Sequence, residues 1–134
     1  LMLTRIKLLE QLAQLIILVP NATQTIGIIL PSFRDVKQFN YDLSCILHSV
    51  PNWLDTGQVT KKSIRQIEHG HYGTIVLLND VNHARGRSFN KMYISSRCKE
   101  DQKTQFIFNI LPTMLNGKVE TFSDSVTDED LVTK

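Results

Sequence analysis

The sequence holds little that would cross-link it, anchor it or charge it strongly. Cys45 and Cys98 are its only cysteines; they stand far apart and outside any CxxC pattern, which argues against a disulfide framework and for reduced thiols in an intracellular, cytoplasmic setting. No run approaches the roughly 18 apolar residues that a membrane helix needs, and the longest, Leu15 to Val19, reads as a buried patch. Neither sign of charge dominates: the formal net charge is +2, too mild by itself to announce nucleic acid or a membrane surface. Internal repeats and low-complexity stretches are missing, as are a charged leader and a cleavage site. Leu1 stands where an initiator methionine would, so the opening is expected of a piece cut from something longer.

What is present is the composition of one domain. A length of 134 residues with 42% hydrophobic and 21% charged residues is enough for a core without staples. From Leu3 to Leu18, apolar residues recur at three- and four-residue spacing, which predicts an amphipathic helix ended by Pro20-Asn21. Thr25 to Leu30 is a short β-branched run expected of a strand covered on both faces, with Gly27 inviting close packing by a helix. Ser32 and Asp35 form an N-terminal signal for a second helix, whose buried stripe is expected to comprise Val36, Phe39, Tyr41, Leu43, Ile46 and Leu47, with Cys45 on the apolar side. Pro51-Asn52 should end it. Ser63 to Glu68 alternates and Thr74 to Leu78 is apolar, predicting a β-hairpin or local meander around His69-Gly70-His71-Tyr72-Gly73. Lys91 to Ser95 is a further strand candidate, 103–115 a helix with Phe106, Ile107, Ile110, Leu111 and Met114 inward and Pro112 at a start or kink, and 119–123 a last strand after the Asn116-Gly117 turn. The tail 124–134 is acidic. This order predicts an α/β fold with an open, mainly parallel sheet flanked by helices and a β-hairpin in the middle. Ligands of such sheets sit at the carboxyl ends of strands, here after Leu30, Ile94 and Ser123.

Several chemical motifs have plain structural explanations. His69 and His71, with His48 and His83 elsewhere, lack a cysteine or carboxylate at zinc spacing, so a polar turn rather than a metal site is expected. Cys98, between Arg97 and Lys99, could have a lowered pKa but has no paired histidine or resolving cysteine. Ser123-Asp124-Ser125 with a distant histidine makes no triad. Trp53 reads as an anchor for the Pro51 turn. Lys61, Lys62, Arg65, Arg85, Arg87, Lys91, Arg97, Lys99 and Lys103 concentrate positive charge in the middle of the chain, either a footprint for a nucleic-acid backbone or an ordinary solvated surface.

The most specific stretch is Ala84-Arg85-Gly86-Arg87-Ser88-Phe89-Asn90 running into Lys91-Met92-Tyr93-Ile94. Here the sequence resembles the ATPase domain of viral and phage DNA-packaging terminase large subunits, in which an Arg-Gly loop and a following Ser-Phe lead into the strand that ends in the Walker B acidic pair. Other parts follow in family order. Leu3 to Pro20 is similar to the helix after the phosphate-binding loop and Thr25 to Ser32 to the next strand. Val50-Pro51-Asn52-Trp53-Leu54 resembles the segment ahead of the hairpin, Ile110 to Met114 the helix before the coupling strand, and Glu120 to Ser123 that strand.

The resemblance implies a partial P-loop NTPase-like fold, with residues 1–134 forming one truncated terminase-like ATPase subdomain. ATP and magnesium are the parent family's cofactors, and double-stranded DNA and the capsid portal its partners, in a host cell. Two departures bear on activity. No GxxxxGK[ST] occurs, and at the Walker B positions stand Ser95 and Ser96, whose uncharged hydroxyls are poor ligands for a hard cation. Hydrolysis by this chain alone is therefore not expected. The residues carried over are Arg85 as a catalytic candidate, Ser95 and Ser96 at the degenerate acidic pair, Ser123 in the coupling-like strand, and Arg85, Arg87 and Lys91 for nucleic acid. The resemblance also implies that the arginines lie near the nucleotide end of the sheet, meeting a phosphate there or pairing nearby acids. Without its first strand the sheet would expose an edge and favour a homo-oligomer. Two alternatives stand beside this reading: a non-enzymatic α/β module that binds protein or nucleic acid through the basic middle segment, and a helicase-type ATPase fragment.

Overall fold

Three runs rich in aliphatic and β-branched residues, Thr25–Ile29, Gly73–Leu78 and Lys91–Ser95, are buried along most of their length, as strands with cover on both faces must be. They form the centre of a single sheet. A computed structural model describes residues 2–19, 22–49, 59–70, 72–84, 86–114 and 118–124. Within these, the elements in chain order are β1 (Leu3–Thr4), α1 (Arg5–Leu18), β2 (Thr25–Ile29), α2 (Phe33–Ser49), β3 (Val59–Lys62), β4 (Gln66–His69), β5 (Gly73–Leu78), β6 (Lys91–Ser95), α3 (Glu100–Ile110) and β7 (Lys118–Ser123). The sheet has seven strands in the order β1-β7-β6-β2-β5-β4-β3. The first five in that order run parallel, and β4 and β3 add antiparallel at the far side. The α/β class, the open mostly parallel sheet and the central hairpin expected from the sequence are all present.

Alternation along the strands separates two cores. Ile28, Ile75, Leu77, Tyr93 and Phe122 face α1 and α2, where Leu8, Leu12, Ile16, Phe39 and Leu43 close over them. Ile29, Val76, Leu78, Met92 and Ile94 face the opposite side, covered by Phe89 and by Phe106 and Ile110 of α3. Burying each such aliphatic side chain contributes about 1.5–3 kcal/mol. Phe39 and Phe122 meet at 6.3 Å between ring centroids in a tilted arrangement, a favoured aromatic geometry.

Local signals explain the helix starts. Ser32 Oγ accepts from the Asp35 backbone N–H at 3.4 Å and donates to the Asp35 carboxylate at 2.6 Å, and Thr4 Oγ1 accepts from the Lys7 N–H at 3.3 Å; an N-cap of this kind is worth about 1 kcal/mol. The helix read from Leu3 therefore begins two residues later, because Leu3 and Thr4 pair with Phe122 and Ser123 as a short strand.

Other expectations are corrected. Gly27 is crowded by a neighbouring strand and the segment leading into it rather than by a helix: a Cβ there would meet Met92 Cε on β6 and Phe89 Cε1 just before β6, both at 3.0 Å. Tyr41 and Cys45 are exposed, one helical turn apart on the solvent side of α2. Ile107 and Leu111 are likewise exposed, leaving Phe106 and Ile110 as the fully buried residues of α3. That helix starts at Glu100 and yields to a 3-10 turn, Leu111–Thr113, at Pro112, which has no N–H for a further helical bond. His69 belongs to β4 and is buried, whereas the sequence suggested a polar turn. Pro20-Asn21, the 50–58 segment with Trp53, His71, Asn116-Gly117 and the 125–134 tail lie outside the described residues. Among the described residues no helix is long and apolar enough to cross a membrane.

Candidate functional site at the strand ends

The two helices α1 and α2 lie on one face and α3 on the other, so chain connections diverge between β2 and β6. In open parallel sheets the crevice beyond the strand carboxyl ends at such a point is where ligands bind. Ser32 and Asp35 follow β2 there, Ser96 and Arg97 follow β6, and Asp124 follows β7.

These side chains join in one network centred on Asp124, which is fully buried. Its Oδ1 accepts from Arg5 Nη1 at 3.0 Å and its Oδ2 from Ser95 Oγ at 2.6 Å. Its backbone N–H donates to Ser96 Oγ at 3.0 Å, and the Ser96 N–H donates to the Phe122 carbonyl at 3.0 Å, stitching the end of β6 to that of β7. Arg5, the first residue of α1, reaches back with Nη2 to Asp42 Oδ2 on α2 at 2.6 Å and lies 5.0 Å from the centre of the Phe39 ring. Arg97 Nη1 donates to Asp35 Oδ1 at 2.9 Å and lies 3.6 Å from Asp124 Oδ2. Charge-assisted bonds of this length are the strong ones, and their partners come from α1, α2 and the ends of β6 and β7.

Burial tends to raise the Asp35 pKa, but the hydrogen bonds from Ser32 and Arg97 outweigh it and hold the carboxyl below its ordinary 3.8. Cys98, beside the network and bonded weakly to the Ile29 carbonyl at 3.7 Å, behaves in the opposite way: burial pushes its thiol up to about 12, against a smaller lowering effect of Lys103. The lowered thiol pKa that Arg97 and Lys99 suggested is thus corrected. With Cys45 exposed and Cys98 buried, Ellman's reagent at pH 8 should modify one thiol per folded chain rapidly and the second only on unfolding. Two fast thiols would contradict this.

An open crevice of about 290 Å³ lies between α3 and the ends of β2 and β5, lined among others by Pro31, Asn79, Asp80, Lys99, Gln102 and Phe106 and by no residue of the network. Gln102 Nε2 donates to the Leu30 and Asn79 carbonyls, both at 3.0 Å, tying α3 to the ends of β2 and β5.

The sequence-predicted site residues divide between this place and others. Ser95 and Ser96 are in the network. Ser123 pairs with Thr4 across the parallel β7–β1 edge, next to Asp124. Arg87 is outside the network: it donates at 2.9 Å to Gln66 Oε1 on β4, and Gln66 pairs with Val76 toward the carboxyl end of β5. Lys91 opens β6 at the amino end, with Nζ 3.9 Å from Glu120 and 4.9 Å from the Tyr93 ring centre. Arg85 lies outside the described residues. Sequence reasoning missed Arg5, Asp42 and the role of Asp124. The signal for Arg5 was its position one turn before Leu8 and Leu9 and two before Leu12, on the apolar stripe of α1.

The arrangement suits an internal ion-pair cluster better than a metal centre. Among the described residues no group of three or more His, Cys, Asp or Glu side chains is placed to hold a metal ion, and both oxygens of Asp124 are already taken. Searches against protein-family models and against curated proteins find no match for this chain.

Proposed function

We propose that this chain is the sheet of a terminase-like ATPase domain, part of a machine for viral double-stranded DNA packaging, and that it does not hydrolyse ATP by itself. The observation that carries the reading is an adjacency. The start of α1, which the resemblance aligns with the helix after a phosphate-binding loop, stands beside the end of β7, and β7 stands beside the end of β6 with Ser95 and Ser96. A nucleotide-hydrolysing site of this family needs these three chain segments side by side.

The residues present do not fit the parent family's magnesium and ATP. Ser95 and Ser96 bring no charge, the Ser95 hydroxyl is committed to Asp124, and Asp124 is neutralised by Arg5; a hard cation asks for free carboxylate oxygens. No hydrolytic step is derived through them. Double-stranded DNA, a capsid portal and further copies of the chain are the partners this reading supplies. The purified chain should show no magnesium-dependent ATP turnover above buffer. Turnover that is abolished by Arg85→Ala would overturn the proposal.

A second reading, a non-enzymatic module, draws on one cluster. The Phe33 ring, partly exposed at the start of α2, has the Arg65 guanidinium 4.7 Å and the Lys37 ammonium 5.4 Å from its centre, a basic and aromatic pairing of the kind used on nucleic-acid backbones. Steeply salt-dependent duplex binding, weakened by charge reversal at Arg65 and Arg87, would favour it; no binding at low salt would count against its nucleic-acid form.

A further inference from the structure

Arg5 sits where an arginine is hardest to keep. It is only 6% exposed, and it occupies the first turn of α1, where the helix dipole disfavours a cation and where no acidic residue of the helix itself compensates. What holds it there is a pair of carboxylates from other elements: Asp42 on α2 at 2.6 Å and Asp124 after β7 at 3.0 Å, with the Phe39 ring beneath. One guanidinium thus bridges a carboxylate of α2 and one at the carboxyl end of β7, and leaves Asp124 with no free oxygen, since Ser95 takes the other.

We infer that Arg5 is the resident cation of the strand-end site: a tethered positive charge that occupies the place between Asp42 and Asp124 and closes it to a diffusible cation. Two carboxylates facing one small space are what a magnesium ion uses when water completes its shell, and here that space is filled by the chain's own side chain. The arginine fits because its planar fork can meet two acceptors at once while its faces tolerate an aromatic ring, which an ammonium does less well. The site is therefore self-sufficient, and the domain folds without metal or nucleotide. The inference stands on the ion-pair geometry alone, so it holds or fails separately from the terminase-like reading.

Chemical rescue tests it on the full 134-residue chain. The thermal midpoint of the unaltered protein should be insensitive to millimolar Mg²⁺ and to millimolar methylguanidinium. Arg5→Ala, which leaves two carboxylates facing a hole, should lower the midpoint on the order of 10 °C, and methylguanidinium should raise it again in a saturable manner. Leu43→Ala, a cavity of unchanged charge in the same core, should show no such rescue, and Arg5→Ala combined with Asp124→Asn should lose it. If Arg5→Ala does not fold in buffer, recovery of its native circular dichroism on adding methylguanidinium reports the same result. Four outcomes overturn the inference: no rescue of Arg5→Ala in either form, equal rescue of Leu43→Ala, full rescue retained in the double variant, or stabilisation of the unaltered chain by Mg²⁺.

Discussion

Asp124→Ala is expected to cost about 3–5 kcal/mol of folding stability, the loss typical of removing one partner from a buried ion pair. The reason is what remains. Arg5 would keep only Asp42, whose side chain is 28% exposed, so a nearly buried guanidinium would lose its dry partner and keep its wet one. Ser95 Oγ would lose its acceptor at 2.6 Å, and Arg97 Nη1 would lose the carboxylate oxygen 3.6 Å away. Asp42→Ala should cost clearly less, because water can reach the Arg5 group that faces Asp42. Asp124→Asn should fall between, since it keeps an acceptor oxygen for Arg5 but gives up the charge and turns the acceptor facing Ser95 into an amide donor. Urea unfolding followed by circular dichroism measures all three. Equal losses for Asp42→Ala and Asp124→Ala, or a loss below about 1 kcal/mol for Asp124→Ala, would show that the network is an ordinary surface pair.

That network illustrates which parts of this fold could be read from the chain and which could not. β2, β5 and β6 were legible because a continuous apolar run flanked by polar residues has few other uses, and the start of α2 was legible because Ser32 and Asp35 stand at capping distance. β3, with the sequence Val-Thr-Lys-Lys, was not; edge strands carry lysines to discourage further pairing, so they lack the apolar signature of central ones. The carboxyl-end rule directed attention to the residues after Leu30, Ile94 and Ser123, which is where Asp35, Arg97 and Asp124 converge. What the rule does not supply is the partner. Arg5 and Asp42 are separated by 37 residues and Arg5 and Asp124 by 119, and only the placement of α1 beside α2 and β1 beside β7 brings them together. Cys45 and Tyr41 show the converse error, since both sit at spacings close enough to the apolar stripe of α2 to be counted with it. The resemblance also drew weight to Arg87, because a motif carries no information about which neighbour its side chain will find, and here that neighbour is Gln66.

His69 was hidden by its surroundings in the sequence, a stretch of Gly, His and Tyr that looks like a turn, yet it leads to the second large effect. Its ring is buried with both nitrogens unpartnered among the described residues, and the space for it exists because Gly73, its antiparallel partner, has no side chain. A Cβ at Gly73 would lie 2.5 Å from His69 Cε1 and 2.9 Å from the His69 carbonyl oxygen. Gly73→Ala should therefore destabilise the chain by about 2–3 kcal/mol, the upper part of the usual cost of overpacking. Adding His69→Ala should return only part of that loss, because the carbonyl is backbone and cannot move out of the way. The same burial sets a pH dependence. Desolvation holds the His69 pKa below its ordinary 6.5, so as pH falls through 6.5 the unfolded chain takes up a proton that the folded chain refuses, and stability declines. Above that value both states carry a neutral ring and the contribution vanishes. Asp35 acts in a different window: its lowered carboxyl pKa supports the fold above 3.8 and is lost only as pH drops through the still lower folded value. Urea midpoints between pH 7.5 and 5 should accordingly fall in the unaltered protein and stay level in His69→Leu. An equal decline in His69→Leu would assign the acid sensitivity to another group.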